Sequence, residues 1–209
     1  MTAKSLLPIL PSLLLPLFAC GCPHFQRPAF NGETGLNGAA VLVVPFGEPG
    51  RNLWYGESPR GRLLALAIKN WARENAVDAH FVEGREMDQV LATVGGWTRE
   101  RITAGDWRSI AGGLGVQYVI EGNLKSLSLR QPTVIGLYDA KATADYRVIN
   151  VLSGKISYEA PARETRFGGG REMHVADSPG SEGDALIERR LLERLAEEIG
   201  KDLYGYYED

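Results

Sequence analysis

The stretch AAVLVVPF, residues 39–46, restricts the fold of this chain more than any other. It is apolar without alternation until Pro45 and Gly47 close it, and it is rich in β-branched valine. A strand of that kind has no polar face to give to water. It belongs in the middle of a sheet with helices on both sides. The remaining segments must therefore supply two helical layers and the neighbouring strands.

The segments that follow have the right patterns. A loop, GEPGRNLWYGES, carries Trp54 and Tyr55 to Ser58-Pro59, where a capping serine precedes proline at the first helical position. The predicted helix runs to about residue 74, with Leu63, Leu64, Ala67, Ile68 and Trp71 as its apolar stripe. Residues 77–84 read as a short strand and 85–93 as a helix stopped by Gly95-Gly96. Asp106 is placed to cap another short helix that ends at the glycines following Ala111. Residues 116–130 begin as a buried strand and then alternate. Residues 134–167 carry no helix signal and read as a long antiparallel hairpin turned at Ser153-Gly154.

A glycine-rich connection leads to an amphipathic helix over residues 185–204, with Leu191, Leu192, Leu195, Ile199 and Leu203 on its stripe. Ser181 with Asp184 is placed to cap its start. The order β-α-β-α-α-β-β-β-α predicts a single three-layer α/β (α+β) domain. Its mixed sheet is parallel in the first half and antiparallel in the second, and the closing helix covers the remaining open face.

The amino terminus reads as an address rather than as part of the fold. Residues 6–18 are apolar but short of the about 20 residues that span a bilayer, and Pro8, Pro11 and Pro16 interrupt them. With Lys4 ahead of it, this is a targeting segment. The only cysteines, Cys20 and Cys22, follow directly. Leu17-Phe18-Ala19-Cys20 resembles the lipobox of a bacterial lipoprotein, with Phe18 a departure from the usual small or β-branched residue. Ala19-Cys20-Gly21-Cys22 is the competing frame. A disulfide across C-x-C would close a small strained ring, and a metal site would need partners beyond His24. The expected organisation is a signal peptide over residues 1–19, a flexible tether over 20–38 and one envelope domain over 39–209.

Three strings resemble a family of bacterial envelope domains. The family includes the curli secretion-channel lipoprotein, the penicillin-binding-protein activator lipoproteins and the amino-terminal domain of the Tol-system propeller protein. Residues 41–46 resemble its opening strand. Residues 110–124 resemble its helix-to-strand string, with Ala111, Leu114, Gly115, Tyr118, Val119 and Gly122 in place. Residues 146–159 resemble its late hairpin, with Gly154 at the turn. The resemblance implies this fold and a role in binding other envelope components; it carries over no catalytic residue.

The search for chemistry is consistent with that. His24, His80 and His174 lack the spacing of a zinc helix, and no nucleophile elbow or phosphate loop occurs. Asp139, Asp145, Glu159 and Glu164 stand beside Lys141, Arg147 and Arg163, where solvated ion pairs are the ordinary outcome. No cofactor and no catalytic residue is expected. A net charge of -3 without basic clusters gives no footprint for nucleic acid.

Loop aromatics are the candidate partner contacts: Trp54, Tyr55, Trp97 and Tyr138. The function expected is that of a non-catalytic accessory lipoprotein, held by its lipid anchor at the outer membrane and facing the periplasm. It would bind another envelope protein or copies of itself. An auxiliary subunit of an ABC-type lipid transporter and a carboxylate-based hydrolase are the alternatives. A secretion channel is disfavoured, because the chain has no room for membrane-spanning hairpins and its own hairpin carries Arg147, Lys155, Glu159, Arg163 and Arg166.

Overall fold

The computed structural model describes residues 24–31, 35–76, 78–95, 97, 101–130, 139–167 and 181–208. The apolar run expected inside the sheet is an interior strand. β2 (Ala40–Val43) lies between β3 (His80–Phe81) and β4 (Tyr118–Arg130), parallel to both. β5 (Asp139–Asn150) and β6 (Lys155–Phe167) extend the sheet antiparallel, giving the order β3-β2-β4-β5-β6. The fold is thus α+β with a mixed five-stranded sheet. The β5–β6 turn closes at Gly154, whose φ of +64° is a conformation glycine reaches without strain.

Local chemistry sets the helices. Ser58 caps α1 (Pro59–Asn75), its Oγ accepting from the Gly61 amide at 2.8 Å. α2 (Gly84–Val94) follows β3. α3 (Ala104–Ala111) starts one turn earlier than read from the sequence. Thr103 is the cap, and Asp106 reaches back to the Thr103 amide in a reciprocal capping box. α4 (Ser181–Tyr204) is a turn longer than expected, so Ser181 and Asp184 lie inside it.

Two cores flank the sheet. On one face α1 gives Leu64, Ile68 and Ala72 and α4 gives Leu191, Leu195 and Ile199. These pack over Val41, Val43 and the strip Ala140, Ala142 and Ala144 of β5. Small residues on β5 leave a shallow surface on which α4 can lie. On the other face Val90, Val94, Trp107 and Ala111 of α2 and α3 cover Leu42, Val44, Val119 and Ile149. The closing helix shares the first face with α1 and covers its antiparallel part. Beyond α2 and α3 that second face carries ion pairs, among them Lys125–Asp145 at 2.8 Å and Lys141–Glu164 at 2.5 Å.

A second departure concerns the expected tether. β1 (His24–Gln26) pairs antiparallel with β7 (Tyr206–Glu208). Phe30 and Leu36 are buried, and their amides donate to the carbonyls of Asp202 and Leu203 at 2.9 Å each. Apolar residues among the glycines and prolines anchor this segment, and their irregular spacing hid them from a periodicity reading. The described part of the chain is therefore packed from His24 onward.

Candidate functional site

α1 and α4 run in the same direction, side by side. Near their starts, Arg60 donates to Glu188 through Nε at 2.9 Å and Nη2 at 2.5 Å. Further along, the Trp71 ring lies on Gly200. On the outer side of the pair is an open groove of ≈ 850 Å³ whose lining includes Leu63, Leu66, Trp71, Arg190 and Arg194. Leu63 is 45% exposed and Leu66 is 46% exposed. Charges of both signs share the lining with these apolar side chains: Arg189 donates to Glu193 at 3.0 Å, and Glu197 is met by Lys201 at 2.7 Å.

Leu63 was expected in the buried stripe, and the structure corrects this. Leu64, Ala65 and Ile68 face the core, which turns Leu63 and Leu66 outward. The signal was present in the sequence. Leucines, alanines and isoleucine fill 63–68 without a break, an arc wider than one core can absorb.

The loop aromatics divide. Tyr55 is 1% exposed and belongs to the second core, so it offers no surface to a partner. Its loop folds back so that the ring packs in the second core, on the same side of the sheet as a buried carboxylate. Glu121 on β4 is fully buried, and Arg147 from β5 pairs with it while donating to the Ile102 carbonyl at 3.0 Å. Tyr55 and Trp107 turn their hydroxyl and indole N–H toward the same carboxylate. Burial pushes the Glu121 carboxyl above the usual range, and Arg147 opposes that shift. The cluster fastens the α3 layer and the Tyr55 loop to the sheet.

Trp54 is half-buried, with its amide donating to Glu57 Oε2 at 3.0 Å. Trp97 is half-buried against the second core, under the Arg101 guanidinium at 5.4 Å from the ring centre. Tyr138, Cys20 and Cys22 lie outside the described residues.

Two of the four acids weighed as catalytic carboxylates, Asp145 and Glu164, are engaged by cations. Asp145 pairs with Lys125, and Glu164 with both Lys141 and Arg166. His80 is an exposed histidine beside Asp78 at 2.8 Å. Among the described residues no cluster of His, Cys, Asp and Glu could hold a metal ion, and no helix is long and apolar enough to cross a membrane.

No protein-family model matches the chain, and no curated protein matches it in sequence. Solved structures of envelope lipoproteins are similar to it at low identity. The PelC dodecamer subunit from Paraburkholderia phytofirmans is 13% identical, with a TM-score of 0.47 over 82% of this chain and 95% of that one. Lipoprotein GNA1162 from Neisseria meningitidis is 16% identical, with a TM-score of 0.44 over 76% of this chain and 98% of that one. LpoB from E. coli is 13% identical, with a TM-score of 0.43 over 80% and 84%. At these scores the likeness assigns neither a role nor a site residue to this chain.

Proposed function

We propose that this chain is a lipid-anchored accessory domain of the bacterial envelope that acts by binding, and that the outer α1–α4 face is its contact surface. The observation that carries the reading is the pair Leu63 and Leu66, each nearly half exposed in a groove that charged residues also line. Apolar side chains gathered in a concave surface with a polar rim are the composition of a protein–protein contact. The partner is another envelope protein or a second copy of the chain. The lipobox-like segment ending at Cys20, with Cys22 as the alternative frame, supplies the anchor in this reading.

The test is a Leu63→Glu, Leu66→Glu double variant compared with the native chain by thermal unfolding and by co-purification from crosslinked cells. Both positions are exposed, so the midpoint should hold while the crosslinked partner is lost. Retention of the partner would refute the assignment of this face. Labelling with a radioactive fatty acid in Cys20→Ser and Cys22→Ser variants tests the anchor. Loss of label in the first supports Cys20, loss only in the second moves the site to Cys22, and an unlabelled native chain refutes anchoring.

A further inference from the structure

His24 is held in the domain by its pairing with Glu208 across the β1–β7 ribbon. Cys20 is four residues upstream and Cys22 two. A fully extended chain covers about 3.5 Å per residue, so an acyl group on Cys20 is tied within about 14 Å of the ribbon, and one on Cys22 within about 7 Å. No separate tether is available to hold the domain away from the bilayer. One end of the molecule must face it.

The structure identifies that end. Phe30, six residues after His24, packs its ring on Tyr118 and Tyr158 at 5.5 and 6.0 Å. Tyr118 opens β4 and lies opposite Asn150, the last residue of β5. The β5–β6 turn follows at once, and its Val151 amide donates to the Gln117 carbonyl at 2.9 Å. The ribbon segment, the starts of β2 and β4 and the β5–β6 turn therefore share one end of the sheet.

That end also carries the two most exposed of the large apolar side chains described. Leu152, at the tip of the turn, is 82% exposed, and Tyr207, on β7, is 59% exposed. Phe25 packs against Tyr207 with ring centres 5.1 Å apart and the rings tilted by 55°. Single exposed apolar residues are ordinary on protein surfaces. Here the extremes coincide with the attachment point of the chain. Amphipathic aromatic rings and an apolar loop tip suit the headgroup layer, where their apolar bodies leave water and the tyrosine hydroxyl remains hydrated.

We infer that the end of the domain formed by the β1–β7 ribbon and the β5–β6 turn rests on the phospholipid bilayer, with Tyr207 and Leu152 entering the headgroup layer. This rests on the lipid anchor proposed above and fixes what the anchor alone does not: the orientation of the domain. The opposite end of the sheet, with the Trp54 loop and the starts of α1 and α4, then points away from the membrane.

The test uses the full acylated chain, purified from membranes and reconstituted into phosphatidylethanolamine–phosphatidylglycerol vesicles containing a headgroup nitroxide lipid. A 3-fluorotyrosine is placed in turn at positions 207, 152 and 66, and its fluorine resonance is followed. Position 66 is the comparison, since it lies on the α1–α4 face. The expected result is several-fold stronger paramagnetic broadening at 207 and 152 than at 66. An acylated, vesicle-bound chain with equal broadening at all three positions, or more at 66, overturns the orientation while leaving the anchor in place. A chain whose mass shows no acyl group and which stays off the vesicles overturns both.

Discussion

A Cβ on Gly200 would lie 2.0 Å from Cε3 of Trp71. The missing side chain is what lets the indole lie across α4 and holds α1 against it. Gly200→Ala should therefore cost roughly 1–3 kcal/mol of stability through overpacking, seen as a lower midpoint in chemical unfolding. Trp71 is partly exposed and can swing away, so Gly200→Ala combined with Trp71→Ala should cost less than the two changes summed.

Gly61 makes a harder contact. Its Cβ would fall 1.8 Å from the Phe46 carbonyl oxygen, which is backbone and cannot rotate aside. Gly61→Ala should exceed the Gly200→Ala loss and lie at or beyond the upper end of about 1–3 kcal/mol, measured in the same unfolding experiment. A smaller loss at 61 than at 200 would contradict this packing of α1 on the end of the central strand.

The element order was legible because each element carries its own local signal. Ser58-Pro59 announces α1, Gly154 the hairpin turn, and the valine-rich run the central strand. The features missed depend on partners distant in the chain. β1 exists because it meets β7, and Leu36 is buried because Leu203 is there to bond it. Tyr55 looked like a loop contact because Glu121, the buried acid its hydroxyl turns to, lies on a strand far along the chain. Thr103 and Asp106 are both residue types that cap, and only the helix start decides between them. The groove was half-visible, since α1 has more apolar residues than one face needs.

Removing the Glu121 carboxylate should be costly. Glu121→Ala leaves the guanidinium of Arg147 without its buried partner, a loss of about 3–5 kcal/mol for a broken buried pair. Glu121→Gln should recover part of this. The pH dependence has a definite sign. Because burial raises this carboxyl in the folded state, the unfolded chain gives up the proton first as pH rises. The contribution is whole below the unfolded pKa and is lost as pH climbs through the folded one. Unfolding midpoints taken across that window should fall for the native chain and lose this component in Glu121→Gln.

Asp202 fastens the end of α4 to the antiparallel strands. It accepts from Tyr146 Oη at 2.7 Å and from Arg163 through Nε at 2.6 Å and Nη2 at 2.7 Å. Asp202→Ala should cost about 1–3 kcal/mol, because the Tyr146 hydroxyl is left buried without its acceptor. Asp202→Ala with Tyr146→Phe should cost less than the sum, a coupling that a double-mutant cycle reads directly.

The central claim is that this domain works through the outer face of α1 and α4. A photo-crosslinking residue at position 66, introduced into the full chain in living cells, tests it most directly, with the same probe on the exposed flank of α2 at position 92 for comparison. The account predicts a discrete adduct from position 66, either with another envelope protein or with a second copy of the chain, and none from position 92. No adduct at 66, or the same adducts from both positions, would contradict it.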